Sequence, residues 1–131
     1  MVAILPLPAC RRSAPEWVPE ASFDLVTALA GSGPGFVYRF IDALAAAAAD
    51  LGLPREQADR LALATVEGAA ALAAASPHSP GELARRVASP GGMTQEGLEV
   101  LDRDGALVRL LSETLRAARD RGAQLAEQAR K

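Results

Sequence analysis

The hydrophobic positions of this chain change rhythm at Phe23. Before it, "MVAILPLPACRRSAPEWVPEAS" (residues 1–22) is broken by prolines and keeps no period, so it reads as a proline-rich arm. "MVAIL" has the make-up of a short strand, and Trp17 is placed to anchor the arm against the body. From Phe23 onward apolar residues recur at helical spacing, and the breaks fall on glycine and proline. "FDLVTALAG" reads as a helix stopping at Gly31. The next helix is expected to take Ser32 or Gly33 as its cap, with Pro34 in the first position, where a missing N–H does no harm. It ends at Gly52 with Pro54 just beyond. A third helix runs from Pro54 to the Pro77 stop. Its Leu61, Leu63, Ala64 and Val66 wrap more than one side, which predicts burial on two faces.

"SPGEL" carries a capping box, with Ser79 at the cap, Pro80 first and Glu82 three residues on, and opens a helix to about Val87. After "SPGGMT" (residues 89–94), Thr94 is expected to cap the helix "QEGLEVL". "DRDG" then separates it from a last helix, Ala106 to about Gln128, striped by Leu107, Leu110, Leu111, Thr114, Leu115 and Ala118. The fold class is all-α, a bundle of about five to six helices over residues 23–131. Strands alternating with helices are missing from the pattern, so a dinucleotide-binding domain has no room in these residues.

Composition narrows the partners. Half of the 131 residues are hydrophobic but only 4% are aromatic, so the core has to be built from Ala, Leu and Val. Such a core brings helix backbones close and buries little area per residue, and it is commonly completed by a partner. A two-fold dimer with an obligate-type interface above ~2,000 Å² follows. The net charge of -2, from 14 basic and 16 acidic residues, gives no footprint for nucleic acid. The basic stretch from Arg116 to Lys131 is interrupted by acids and reads as a solvated helix face. The longest apolar run, around Ala43 to Ala49, falls far short of the ~20 residues a membrane span needs. Cys10 alone excludes an internal disulfide, and one histidine beside it leaves no zinc ligand set. Its setting "LPLPAC" lacks a basic leader, so neither lipidation nor secretion is expected. A soluble cytoplasmic protein with no metal is the expectation.

Two glycine-rich segments are candidates for chemistry. "AGSGPGF", with Gly31, Ser32 and Gly33, fails as a dinucleotide fingerprint because no strand precedes it and its third glycine is misplaced. Its plainer reading is a helix start that permits close helix contact. In "SPGGMT", consecutive amides of a Gly-Gly turn can converge on an anion, and the following helix adds partial positive charge. Ser89 and Thr94 add hydroxyls at either end. An anion cradle and a plain helix connection both fit that spacing. The remaining candidates favour structural roles: His78 as a solvated loop residue, Asp59 and Glu67 as edge or interface residues, Tyr38 and Arg39 as interface residues.

The order of motifs is more specific than any one of them. Val26 to Leu29, Gly31 to Pro34, "GLPR" at Gly52 to Arg55, and "SPGGMT" at Ser89 to Thr94 resemble the C-terminal domain of pyrroline-5-carboxylate reductase, over about residues 22–120. The resemblance implies an interlocked all-α dimerisation domain, forming a homodimer or a higher oligomer. It also implies NADH- or NADPH-dependent reduction of 1-pyrroline-5-carboxylate to proline by the whole enzyme. The substrate carboxylate is then held at Ser89, Gly91, Gly92, Met93 and Thr94. Thr94 is the catalytic candidate, its hydroxyl near the ring nitrogen as a hydrogen-bond donor, since it is too weak an acid to release a proton at neutral pH. Gly31, Ser32 and Gly33 lie toward the nicotinamide.

This sequence also departs from the family. It has no nucleotide-binding core, Ala30 replaces the common serine before Gly31, and "AASPHSPGEL" replaces an acidic residue followed by His-Pro. "MVAILPLPAC" and "EWVPE" resemble segments late in the family's cofactor domain and leading into its helical part, so residues 1–22 read as an arm or a remnant of that domain's end. The chain alone is therefore expected to be inactive and to bind no cofactor. The alternatives are a non-catalytic helical oligomerisation module and a domain of a reductase for a related cyclic imine. A small imino or amino acid, pyrroline-5-carboxylate or proline, is the expected ligand.

Overall fold

The computed structural model describes residues 1–4 and 15–130. Cys10, with the rest of residues 5–14 of the arm, lies outside them. Helix accounts for 82% of the structure, and the all-α expectation holds. Val2–Ile4 (β1) pairs antiparallel with Glu16–Val18 (β2), Val2 facing Val18 and Ile4 facing Glu16. These are the only strands among the described residues. A 3-10 turn at Glu20–Ser22 leads into α1 (Phe23–Val26), a π-helical turn (Thr27–Gly31), α2 (Gly33–Asp50), α3 (Arg55–Ala75), α4 (Pro80–Val87) and α5 (Met93–Asp102). A second 3-10 turn (Arg103–Gly105) precedes α6 (Ala106–Ala129).

Joined across abutting turns, these segments make four helices rather than five or six. Two sequence signals for breaks fare differently. At the first, Ser32 keeps helical dihedrals (φ -85, ψ -21) and its N–H reaches Thr27 O at 3.0 Å, while its own carbonyl accepts from Gly35 and Phe36. A cap requires extended backbone, so neither Ser32 nor Gly33 caps α2; Gly33 is its first residue. At the second the break holds: Arg103 (ψ 121) leaves helical geometry, Asp104 and Gly105 both take left-handed dihedrals (φ 53 and 66), and α6 starts at Ala106.

Other punctuation behaves as expected. Gly52 (φ 115) closes α2 in a Schellman arrangement: its N–H bonds Ala49 O at 3.0 Å and the N–H of Leu53 bonds Ala48 O at 3.1 Å. Ser79 caps α4, its Oγ accepting from the N–H of Glu82 at 3.2 Å with Pro80 in the first turn. The Glu82 carboxylate does not complete the box but engages Arg86 Nη2 at 3.0 Å and His78 Nδ1 at 3.1 Å.

The chain divides into two compact units. In residues 37–107, Ala45 meets Ala58 and Ala62, flanked by Ile41, Ala48 and Ala49. Positions 41, 45 and 48 share one face of α2, and 58 and 62 share one face of α3. The three buried residues contribute only a methyl each, and Ile41 is the one larger side chain packed against them. Burial of α3 on two faces is not met: Ala58 and Ala62 are buried, while Leu61, Leu63 and Leu72 are exposed. Physically, the contact with α2 takes in Ala58 and Ala62 and leaves these leucines exposed.

In the unit of residues 1–36 and 108–131, Ala28 is buried. Along α6, Thr114, Leu115 and Ala118 are half-buried, and Leu110 and Leu111 are exposed. Gly122 brings α6 against Asp24, whose Oδ1 lies 3.5 Å from where a Cβ would stand. Trp17 does not anchor the arm; 62% of it is exposed. Among the described residues the buried hydrophobics are four alanines, and no large side chain is fully buried.

Candidate functional site

The segment between α4 and α5 is one tight turn. Pro90 fills its second position, Gly91 its third with φ 68, and the N–H of Gly92 donates to Ser89 O at 2.9 Å. Proline followed by a left-handed residue is the type II pattern, which needs glycine or asparagine in the third place. Gly92 is constrained for another reason. A Cβ there would collide with Ser89 Oγ and lie 3.1 Å from Ser89 O.

Gly92 (φ -87, ψ 169) is the residue that caps α5, and it has no side chain with which to bond the first-turn amides. Thr94 is accordingly not the cap but the second residue of the helix, because the extended backbone a cap needs occurs two residues earlier. The Gly91 N–H donates to Gln95 Oε1 at 3.0 Å, and Gln95 Nε2 donates to Glu99 Oε1 at 3.1 Å. Two of the amides that sequence places on an anion, those of Gly91 and Gly92, are thus bonded within the chain. The first-turn donors without a side-chain cap include those of Met93 and Thr94, at the positive end of the α5 dipole. Ser89, Met93 and Thr94 are all exposed.

Gly31, Ser32 and Gly33 occupy the end of the π-helical turn and the start of α2. A Cβ on Gly33 or Gly35 would meet nothing within 4 Å, so this backbone is open to close approach by a flat group. The segment is helical on both sides. It therefore has no strand-to-helix loop in which to cradle phosphates.

A separate groove of about 290 Å³ lies between α2 and α3, lined by Tyr38, Ile41, Asp42, Ala45, Asp59 and Leu63. Arg55 spans its acidic rim, with Nε 2.8 Å from Asp59 Oδ1 and Nη2 3.0 Å from Asp42 Oδ1. The Asp59 hydrogen bond and charge, then those of Asp42, raise the guanidinium pKa above its ordinary value. Asp42 also meets Arg39 at 3.2 Å. His78 is not fully solvated: its Nδ1 meets Glu82 and its N–H donates to Ser76 Oγ at 3.0 Å. Among the described residues no group of three or more His, Cys, Asp or Glu is placed to hold a metal ion, and no helix is long and apolar enough to cross a membrane. Sequence reasoning missed Gln95, Glu99 and Asp42. The first two carry a signal, a spacing of four and eight residues from Gly91 along one helix face.

The family model for pyrroline-5-carboxylate reductase dimerisation matches residues 20–125. The chain belongs to that family. A pyrroline-5-carboxylate reductase of Pseudomonas aeruginosa is 44% identical to this dimerisation domain over 109 residues, 83% of this chain and 40% of the relative. Among solved structures, a pyrroline-5-carboxylate reductase from Coxiella burnetii superposes with a TM-score of 0.77 at 38% identity, over 83% of this chain and 40% of that one. A pyrroline carboxylate reductase from Plasmodium falciparum, solved with NADP bound, superposes with a TM-score of 0.73 at 32% identity, over 79% and 39%. The dimerisation domain thus spans about 40% of the length of the relatives it matches.

Proposed function

We propose that this chain is the dimerisation and substrate-holding part of an enzyme that reduces 1-pyrroline-5-carboxylate to proline with NAD(P)H. The supporting observation is the turn at Ser89–Gly92, which delivers the chain into α5 with its first-turn amides uncapped by any side chain. Under this reading the substrate carboxylate rests on the Met93 and Thr94 amides, where the helix dipole favours an anion. Gly91 and Gly92 shape the turn. The Ser89 and Thr94 hydroxyls donate to the ligand, Thr94 toward the ring nitrogen.

The nicotinamide would supply the hydride when bound. Gly31, Ser32 and Gly33 are the residues assigned to its ring end, through the open backbone at Gly33. The phosphates need a glycine loop after a strand, which these 131 residues lack, so the chain by itself is proposed to be inactive and to bind no cofactor. The whole enzyme works as a homodimer or higher oligomer in the cytoplasm. The exposed leucines of α3 and α6, together with a core of alanines, support the dimer.

L-proline tests the carboxylate site directly. A saturable rise in Tm with L-proline, but none with pyrrolidine, is expected by mass action. No shift with either compound would leave a helical oligomerisation module as the better reading. That alternative draws on one observation, that Gly91 and Gly92 already spend their amides inside the chain. NADPH and pyrroline-5-carboxylate mixed with the chain should show no turnover; turnover would overturn the inactivity.

A further inference from the structure

The Gly91 amide is exposed, and water would satisfy it at no loss. Instead Gln95 reaches back one helical turn to take it at 3.0 Å, and Glu99, a further turn on, takes the Gln95 amide group at 3.1 Å. The orientation of the Gln95 side chain follows from its two neighbours. A backbone N–H only donates and a carboxylate only accepts, so the oxygen faces Gly91 and the nitrogen faces Glu99. The Gln95–Glu99 bond runs along one face of α5, and the Gly91 bond reaches from that face back to the turn, both at spacing four. They tie the left-handed corner of the turn to the helix body.

We propose that Gln95 is a positioning residue for the carboxylate site, acting through the Gly91 backbone and held in place by Glu99. Gly91 is the most conformationally free residue of the turn, since glycine takes either sign of φ with little preference. A glycine left to move would swing the Ser89–Gly92 turn, and with it Ser89 Oγ, relative to the amides of Met93 and Thr94. Fixing its N–H to the same helix that presents those amides holds hydroxyl and amides in one frame before the ligand arrives. The entropy of ordering the turn is then met at folding rather than at binding. This rests on the carboxylate reading above for its purpose, but not for its geometry.

Two measurements on Gln95→Met, a near-isosteric variant without the acceptor, test the proposal. Hydrogen exchange at the Gly91 amide should quicken about two- to tenfold, the weight of one neutral hydrogen bond, with Tm unchanged. Unchanged exchange would overturn the latch whatever the ligand does. L-proline affinity, measured by calorimetry, should fall by a similar factor, and Glu99→Gln, which keeps an acceptor oxygen for the Gln95 amide, should bind like the parent. Equal or tighter binding by Gln95→Met would also overturn it, marking Gln95 as an occupant of the site instead. If the parent chain binds no L-proline, the carboxylate reading fails by itself, and the exchange measurement still decides whether Gln95 holds the turn.

Discussion

The hydroxyl of Ser89 stands where a side chain on Gly92 would begin, while the Ser89 carbonyl receives the Gly92 amide at 2.9 Å. A methyl at position 92 therefore meets one flexible and one fixed obstacle. Gly92→Ala is expected to destabilise the chain by about 1–3 kcal/mol, the usual range for overpacking, and to abolish the L-proline-dependent rise in Tm. Adding Ser89→Ala removes the hydroxyl but not the carbonyl 3.1 Å away. A double-mutant cycle in urea should show partial recovery, and strict additivity would speak against this contact.

Ser79 offers a cleaner local test. Its Oγ accepts from the Glu82 N–H at the start of α4. Ser79→Ala should lower unfolding free energy by about 1 kcal/mol, measured by urea titration, and Ser79→Asp should retain most of it.

The alanine contact of α2 and α3 predicts intolerance to size. Ala62→Leu places three extra carbons where Ala45 and Ala58 are buried. Destabilisation of about 1–3 kcal/mol is expected by denaturant titration, whereas Ala71→Leu, at an exposed position of the same helix, should change little.

Arg55 ties α2 to α3 through Asp42 and Asp59, with all three side chains about half exposed. Exposed pairs are screened by salt and contribute little. Arg55→Met should lower Tm slightly at low ionic strength, and the difference from the parent should vanish in molar sodium chloride. A gap that persisted there would show packing of the Arg55 stem rather than charge.

Much of this was legible in the sequence. Gly52, Pro54, Ser79 and Pro80 mark helix ends because each acts through its own backbone or through a neighbour within four residues. Ser32 and Thr94 misled for a related reason. Each has a side chain suited to capping, but the chain at Ser32 stays helical through a π turn, and the extended residue before α5 is Gly92. Propensity names residues able to cap and is silent about which dihedrals the tertiary structure selects. The Gly91–Gln95 bond was hidden because Gln95 also reads as an ordinary surface residue of an amphipathic helix. Whether α3 buries one face or two depends on what packs against it, which periodicity does not encode.

A seam whose fully buried residues are all alanines gives the α2–α3 pair shape but little of the transfer free energy that larger side chains would provide. The leucines that hold that energy point outward. Under the proposed assembly, folding and association draw on the same side chains, so dilution should act on this chain as a mild denaturant, with the melting temperature climbing as protein concentration is raised.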